Sequence, residues 1–213
     1  MLPSDATLIE GWDAGAGRYD AMTERLERRF LAASRRWIGQ RAVGDVLEVA
    51  IGTGANLDHY ATDVRLMGLD WSSGMLDLAR VRARRLGRSV SLLRGDAASL
   101  PFADASFDTV TATFAMCSVP DIEGALRESL RVLRPQGTLL LADHVRGRWP
   151  LSLVQRLLDA ITVPLQGEYW TRRPMLLLRQ WGVEVTEAER TTFGAIERLS
   201  ARRPDGVTPG QRP

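Results

Sequence analysis

The sequence predicts an α/β fold, a doubly wound and mostly parallel sheet with helices on both faces. Three observations predict it. Short apolar runs alternate with segments of helical period between residues 45 and 143. The first apolar run ends in an acidic residue and a small-residue turn, Glu48-Val49-Ala50-Ile51-Gly52-Thr53-Gly54-Ala55-Asn56. The second ends in a carboxylate, Asp70, eighteen positions after Gly52. In an open parallel sheet this layout builds a nucleotide-type ligand site at the carboxyl edge of the strands.

Each element follows from its local pattern. Residues 1–17 are mostly small and polar, with glycines at Gly11, Gly15 and Gly17, and are expected to form a flexible N-terminal arm. From Arg18 to about Ile38, Tyr19, Met22, Leu26, Phe30, Leu31 and Trp37 recur mostly at three- and four-residue steps, which predicts one amphipathic helix. Asp45–Ala50 is the expected first strand, and a short helix is expected from about Ala55. Val64–Asp70 reads as the second strand. Ser72 can cap the next helix, which should stop at Gly87. Val90–Arg94 and Phe107–Phe114 read as the third and fourth strands, Asp121–Leu133 as a helix and Thr138–Asp143 as the fifth strand. Beyond Arg146 the pattern predicts a helix over Leu151–Val163 and another from about Thr171 to Trp181, with Pro174 near its first turn. A final antiparallel pair is expected over Val183–Thr191 and Phe193–Arg202. The tail, residues 204–213, carries Pro, Gly and charge and is expected to be disordered. One domain, residues 18–203, is expected, without internal repeats.

The glycine turn restricts the ligand. A dinucleotide fingerprint wants a third glycine where the chain has Leu57, which argues against an oxidoreductase. A phosphate loop wants lysine, and the chain contains none. Glu48-x-Ala50-x-Gly52-x-Gly54, followed by Asp70 and by Gly95-Asp96-Ala97, resembles the class I S-adenosylmethionine-dependent methyltransferases. The family usually has glycine in place of Ala50, and alanine there implies an ordinary φ. The resemblance implies a Rossmann-like, mostly parallel seven-stranded sheet with an N-terminal helical lid.

The resemblance also implies roles. S-adenosylmethionine is the expected cofactor and S-adenosylhomocysteine the expected product. Glu48 is expected to meet the cofactor's ammonium group, directly or through water. The turn Ala50, Gly52, Thr53 and Gly54 is expected to face the methionine portion. Asn56 is expected to cap a helix or bond the cofactor, and Asp70 to accept hydrogen bonds from the ribose hydroxyls. Trp71 and Met75 are expected to flank the adenine ring, and Asp96 and the Ala97 N–H to bond its edge. Thr113 and Phe114 should border the sulfonium. Tyr19, in Arg18-Tyr19-Asp20, is the residue to watch on the lid. His144 follows Asp143 at the end of the fifth strand and is the candidate to orient an acceptor or take its proton. His59 is expected to be structural, and Trp149, Tyr169 and Trp170 are candidates for an aromatic wall.

Composition narrows partners. The chain has 213 residues with a formal net charge of +2, and its basic complement is entirely arginine. No basic run is interleaved with aromatics, so nucleic acid is not an expected partner. The single cysteine, Cys117, excludes an intrachain disulfide and fits a reducing compartment. Two isolated histidines and one cysteine give no expected metal site. With no signal-peptide pattern and no apolar stretch of membrane-spanning length, a cytoplasmic protein without a membrane anchor is expected. The stretches Met116-Cys117-Ser118-Val119-Pro120 and Asp143-His144-Val145 resemble the small-molecule branch, including thiol S-methyltransferases and, less sharply, quinone C-methyltransferases and phospholipid N-methyltransferases. The expected partner is a soluble small-molecule methyl acceptor, a thiol first. C-, O- or N-methylation and a non-catalytic cofactor-binding protein are the alternatives.

Overall fold

The computed structural model describes residues 3–203. The predicted tail, 204–213, lies outside the described residues. The chain runs α1 (Asp5–Leu26), a π-helical turn (Glu27–Leu31), α2 (Ala32–Gly39), β1 (Asp45–Val49), β2 (Arg65–Asp70), α3 (Ser73–Leu86), β3 (Val90–Arg94) and β4 (Phe107–Thr113). It continues through α4 (Ile122–Val132), β5 (Leu133–His144), α5 (Leu151–Gln166), α6 (Pro174–Gln180), β6 (Glu184–Thr191) and β7 (Ile196–Arg202). The strands form one seven-stranded sheet, ordered β3-β2-β1-β4-β5-β7-β6. All pairs are parallel except β5·β7 and β6·β7.

Strand alternation divides the core. Leu47, Val49, Val110, Ala112, Leu139 and Leu141 pack on one face with residues of α4 and α6. Val46, Leu66, Leu140 and Ala142 pack on the other with Trp37 and Ile38 of α2 and Leu76 and Ala83 of α3. Side chains two apart share a face, so both layers are specified by the same strands. β1 and β4 lie side by side where the winding reverses. Their connections leave to opposite sides, and a crevice opens beyond their carboxyl ends.

Three expectations are corrected. The flexible arm is helix: α1 begins at Asp5, capped by the Ser4 hydroxyl, which accepts the Thr7 N–H. Its glycines lower local propensity, but tertiary bonds override that. The Asp13 carboxylate accepts from the Gly74 N–H at 2.9 Å and from the Ser72 hydroxyl, fixing α1 on the start of α3. The single helix over Arg18–Ile38 is instead two α-helices joined by the π-helical turn. The helix expected from Ala55 is a succession of tight turns, with Gly54 N–H to Ile51 C=O, Leu57 N–H to Gly54 C=O and His59 N–H to Asn56 C=O. Asn56, within these turns, is buried and donates to Glu48 and Thr113.

Candidate active site

The glycine turn is sharply bent. Ala50, Gly52 and Gly54 all have positive φ, at 52°, 58° and 76°. Ala50 therefore corrects the expectation of ordinary φ: the turn needs the left-handed region there whatever the side chain. A side chain at Gly52 would meet nothing within 4 Å, so the inner face of the turn is open. At Gly54 a Cβ would strike Leu57 Cδ1 at 2.7 Å, so this glycine serves packing rather than the opening. The turn is held by Asp70, whose two carboxylate oxygens accept the Gly52 N–H at 2.8 Å and the Ser72 N–H at 2.9 Å. Burial raises the Asp70 pKa, opposed by these N–H bonds. Each oxygen keeps acceptor capacity toward the opening.

That opening leads into a cleft of about 780 Å³, the open mouth included. The turn forms its floor through Ala50, Gly52 and Thr53. Asp70, Trp71 and Met75 line one side and Gly95, Asp96 and Ala97 the next. The far wall is Thr113, Phe114 and Ala115, continuing to Ser118, Val119 and Pro120. Helix α1 roofs it with Trp12 and Tyr19, whose rings meet edge to face at 6.0 Å. The Asp20 carboxylate accepts from the Thr53 hydroxyl at 2.7 Å and from Arg82, so the roof is bonded to the floor. Burial pushes the Tyr19 hydroxyl up to about 12, despite nearby Arg35, so it is a donor at neutral pH.

Arg35 enters the cleft from α2. Its Nε donates to Glu27 at 2.8 Å and its Nη1 to Asn56 Oδ1 at 3.1 Å, and its guanidinium stands 5.4 Å from the centre of the Phe114 ring. Asn56 is fully buried and is spent on neighbours: its amide donates to Glu48 Oε1 at 2.7 Å and to the Thr113 hydroxyl at 2.8 Å. Neither Glu48 nor Asn56 lines the cleft. Both stand behind the lining, with Asn56 linking Glu48, Thr113 and Arg35. Burial pushes the Glu48 carboxyl up to about 7, and its second oxygen has no hydrogen-bond partner.

His144 also lies off the cleft wall. Its ring is wedged between Phe114 and Trp170, with centroids 4.9 and 4.8 Å away. Burial pushes its pKa down to about 4, so it is neutral and a weak base at physiological pH. Its ring, Cys117 and Glu168 bring potential ligand atoms within 4.8 Å of one another. The sequence did not suggest that proximity. Burial raises both the Cys117 thiol and the Glu168 carboxyl and lowers His144, so all three favour their neutral forms. The expected aromatic wall also moves: Trp149 faces solvent, and Trp12, Tyr19, Trp71 and Phe114 line the cleft instead.

Residues 47–141 match the family described as "Methyltransferase domain". Over 185 residues the chain is 31% identical to the demethylmenaquinone methyltransferase of Tropheryma whipplei, covering 77% of this chain and 76% of that one. This chain belongs to the class I S-adenosylmethionine-dependent methyltransferases. It is also 37% identical over 142 residues to the demethylmenaquinone methyltransferase of Renibacterium salmoninarum, and 40% identical over 118 residues to the phosphatidylethanolamine N-methyltransferase of Cereibacter sphaeroides. These matches cover 62% and 54% of this chain and span 56% and 58% of those relatives' lengths. An S-adenosylmethionine-dependent methyltransferase from Thermotoga maritima shares the fold with a TM-score of 0.70 at 22% identity, covering 92% of this chain and 99% of the other. The [4+2]-cyclase SpnF shares it at 0.63 and 22% identity, covering 88% and 81%. Likeness at that level speaks for the fold alone.

Of the methyltransferase residues expected from sequence, eleven line the cleft: Tyr19, Ala50, Gly52, Thr53, Asp70, Trp71, Met75, Asp96, Ala97, Thr113 and Phe114. Glu48, Gly54, Asn56 and His144 do not. Trp12 and Arg35 were missed. A signal existed for Arg35, which stands four residues after buried Leu31 and three before buried Ile38, on the inward face of its helix. Trp12 lay in the segment read as an arm.

Proposed function

We propose that this chain binds S-adenosylmethionine in the cleft and methylates a small, largely apolar acceptor of the quinol or phenol class. The cleft at the β1/β4 switch point carries the reading: an open glycine turn lies between a buried carboxylate, Asp70, and a mostly apolar wall running from Phe114 to Pro120. In this reading Asp70 accepts from the ribose hydroxyls, and Trp71, Met75, Asp96 and Ala97 hold the adenine. Arg35 and the Tyr19 hydroxyl are placed for the carboxylate of the methionine end, beside the open face of Gly52. Thr113 and Phe114 then border the reacting centre. When bound, S-adenosylmethionine supplies a methyl group on a positively charged sulfur, already activated for displacement. The protein's contribution is to align the acceptor and exclude water, with α1 as the roof.

No histidine or lysine lines the cleft among the described residues. An acceptor that ionises with little help suits such a site. A thiol, with a pKa of about 8.5, meets that requirement better than a phenol, at about 10, but no cleft residue selects sulfur. Curated relatives of 37% and 40% identity are named for demethylmenaquinone and phosphatidylethanolamine, which supports an apolar, lipid-type acceptor over a soluble thiol.

Calorimetry with S-adenosylmethionine, followed by incubation of the labelled cofactor with quinols, phenols, thiols and amines, tests both parts. Quinol turnover with release of S-adenosylhomocysteine is expected. Turnover of thiols alone would reverse the acceptor class, and binding without turnover of any acceptor would favour a non-catalytic cofactor-binding role. Asp70→Ala should weaken cofactor binding roughly 10- to 100-fold, the worth of hydrogen bonds to a charged group. Unchanged affinity would overturn the placement.

A further inference from the structure

Helix α5 is turned inside out. Its buried residues are Ser152 and Gln155. The Gln155 amide donates to the Val145 and Trp170 carbonyls and accepts the Gly147 N–H. Leu153, Val154, Leu157, Leu158, Ile161 and Leu165 are exposed, Leu157 by 69% and Leu165 by 73%. Their spacing places them on one side of the helix. Among the described residues, no other helix or strand makes extended contact with α5.

The lead-in to α5 and a neighbouring turn add two exposed aromatic rings. Trp149 is 79% exposed and Phe193, at the β6–β7 turn, 84%. The Arg148 N–H donates to the Phe193 carbonyl at 3.0 Å, joining the two segments. Thr192 and Phe193 have φ of 52° and 54°, a region that branched and bulky residues seldom adopt. The turn thus holds an aromatic ring out in water at some backbone strain.

An apolar face of this extent calls for a cover. We propose that the cover is the surface of a lipid bilayer bearing anionic headgroups, with α5 lying in the interfacial plane. Charge decides between occupants. Arg146, Arg148 and Arg156 are exposed along α5 and its lead-in, and none forms an ion pair among the described residues. The one carboxylate of α5, Asp159, turns inward to the Trp170 N–H and the Thr171 hydroxyl. The face therefore offers leucines, a tryptophan and unpaired cations, the make-up of an interfacial helix drawn to anionic lipid. A second copy docked isologously would bring the same three arginines into the interface from both sides, with no outward carboxylate of α5 to pair them.

The inner side of α5 is tied to the cleft wall. Asp159 holds Trp170 and Thr171, the Tyr169 N–H bonds the Cys117 carbonyl, and Arg172 bonds the Met116 and Val119 carbonyls beside the cleft wall. Docking would bring the protein to a reservoir of apolar acceptors. It goes beyond the acceptor assignment and is read without turnover, so either can fail alone.

Flotation of the full chain with vesicles of equal parts phosphatidylglycerol and phosphatidylcholine tests the proposal. The chain should float with them, and bind pure phosphatidylcholine about tenfold more weakly or less. Leu157→Ser combined with Ile161→Ser should cut binding to the mixed vesicles about tenfold or more. Arg146→Gln combined with Arg148→Gln should remove most of the preference for anionic lipid. Cofactor titration by calorimetry checks that the variants are folded, since none of these residues lines the cleft. Failure of the wild type to float, or wild-type flotation of the Leu157/Ile161 variant, would overturn the proposal. So would a wild-type dimer in light scattering that the same variant converts to monomer.

Discussion

Ala50 shows how a single residue can disagree with its own backbone. Its φ of 52° lies in the left-handed region, where a Cβ costs about 1–2 kcal/mol. Glycine would remove that strain and lose roughly 0.5–1 kcal/mol through the greater freedom of its unfolded chain. Ala50→Gly should therefore stabilise the protein by about 0.5–1 kcal/mol, read as a rise in urea midpoint at constant m-value. A fall in midpoint would mean that the methyl group makes contacts worth more than the strain. The alanine also explains a failure of sequence reading: residue size was judged correctly, but conformation is set by the turn between Glu48 and Gly52 and not by the side chain within it.

At the scale of elements, α1 is a helix of weak local propensity held by bonds to its neighbours. Gly11, Gly15 and Gly17 weaken it, and a Cβ at each would meet nothing within 4 Å, so no close packing requires them. Its hold on the cleft comes from Asp13, against Ser72 and Gly74, and from Asp20, against Thr53 and Arg82. Asp13→Ala should cost about 1 kcal/mol, the usual worth of a lost helix cap, and should speed amide exchange across the first half of α1. Exchange no faster than wild type would show that Leu8 and Ala16 hold the roof by packing alone. The same bonds explain what the sequence concealed. Strands were legible because alternation and burial are written locally, as in Val46-Leu47-Glu48-Val49, and the cleft edges were legible because they sit at strand ends. α1 was not, because its glycines speak for a loop while its fixing points lie about sixty residues away. His144 was read correctly as a strand-end residue, but two-residue alternation puts it on the side of Leu140 and Ala142, behind Phe114.

For the whole molecule, the buried ionisable groups behind the cleft set a pH dependence whose sign can be worked out. Burial pushes Glu48 up to about 7 and Asp143 up to about 6, and pushes His144 down to about 4. Between their unfolded and folded values the two carboxyls hold protons in the native state that the unfolded chain releases. Stability from this source is fully present below about pH 4 and is lost as pH rises, through 6 for Asp143 and through 7 for Glu48. His144 acts in the opposite sense: the unfolded chain takes up its proton as pH falls below about 6.5, so the native state loses stability down to about pH 4. Two carboxyls oppose one imidazole, so these three groups together make stability fall as pH rises from about 5 to 7. Glu48→Gln keeps an oxygen that can accept from Asn56 and removes the titration. It should gain on the order of 2–3 kcal/mol over wild type at pH 8 relative to pH 4, measured on the cofactor-free protein by urea unfolding. His144→Phe, between two aromatic neighbours, should steepen the fall between pH 5 and 6.5. Parallel pH profiles for wild type and Glu48→Gln would show that the Glu48 carboxylate finds a partner or water in solution.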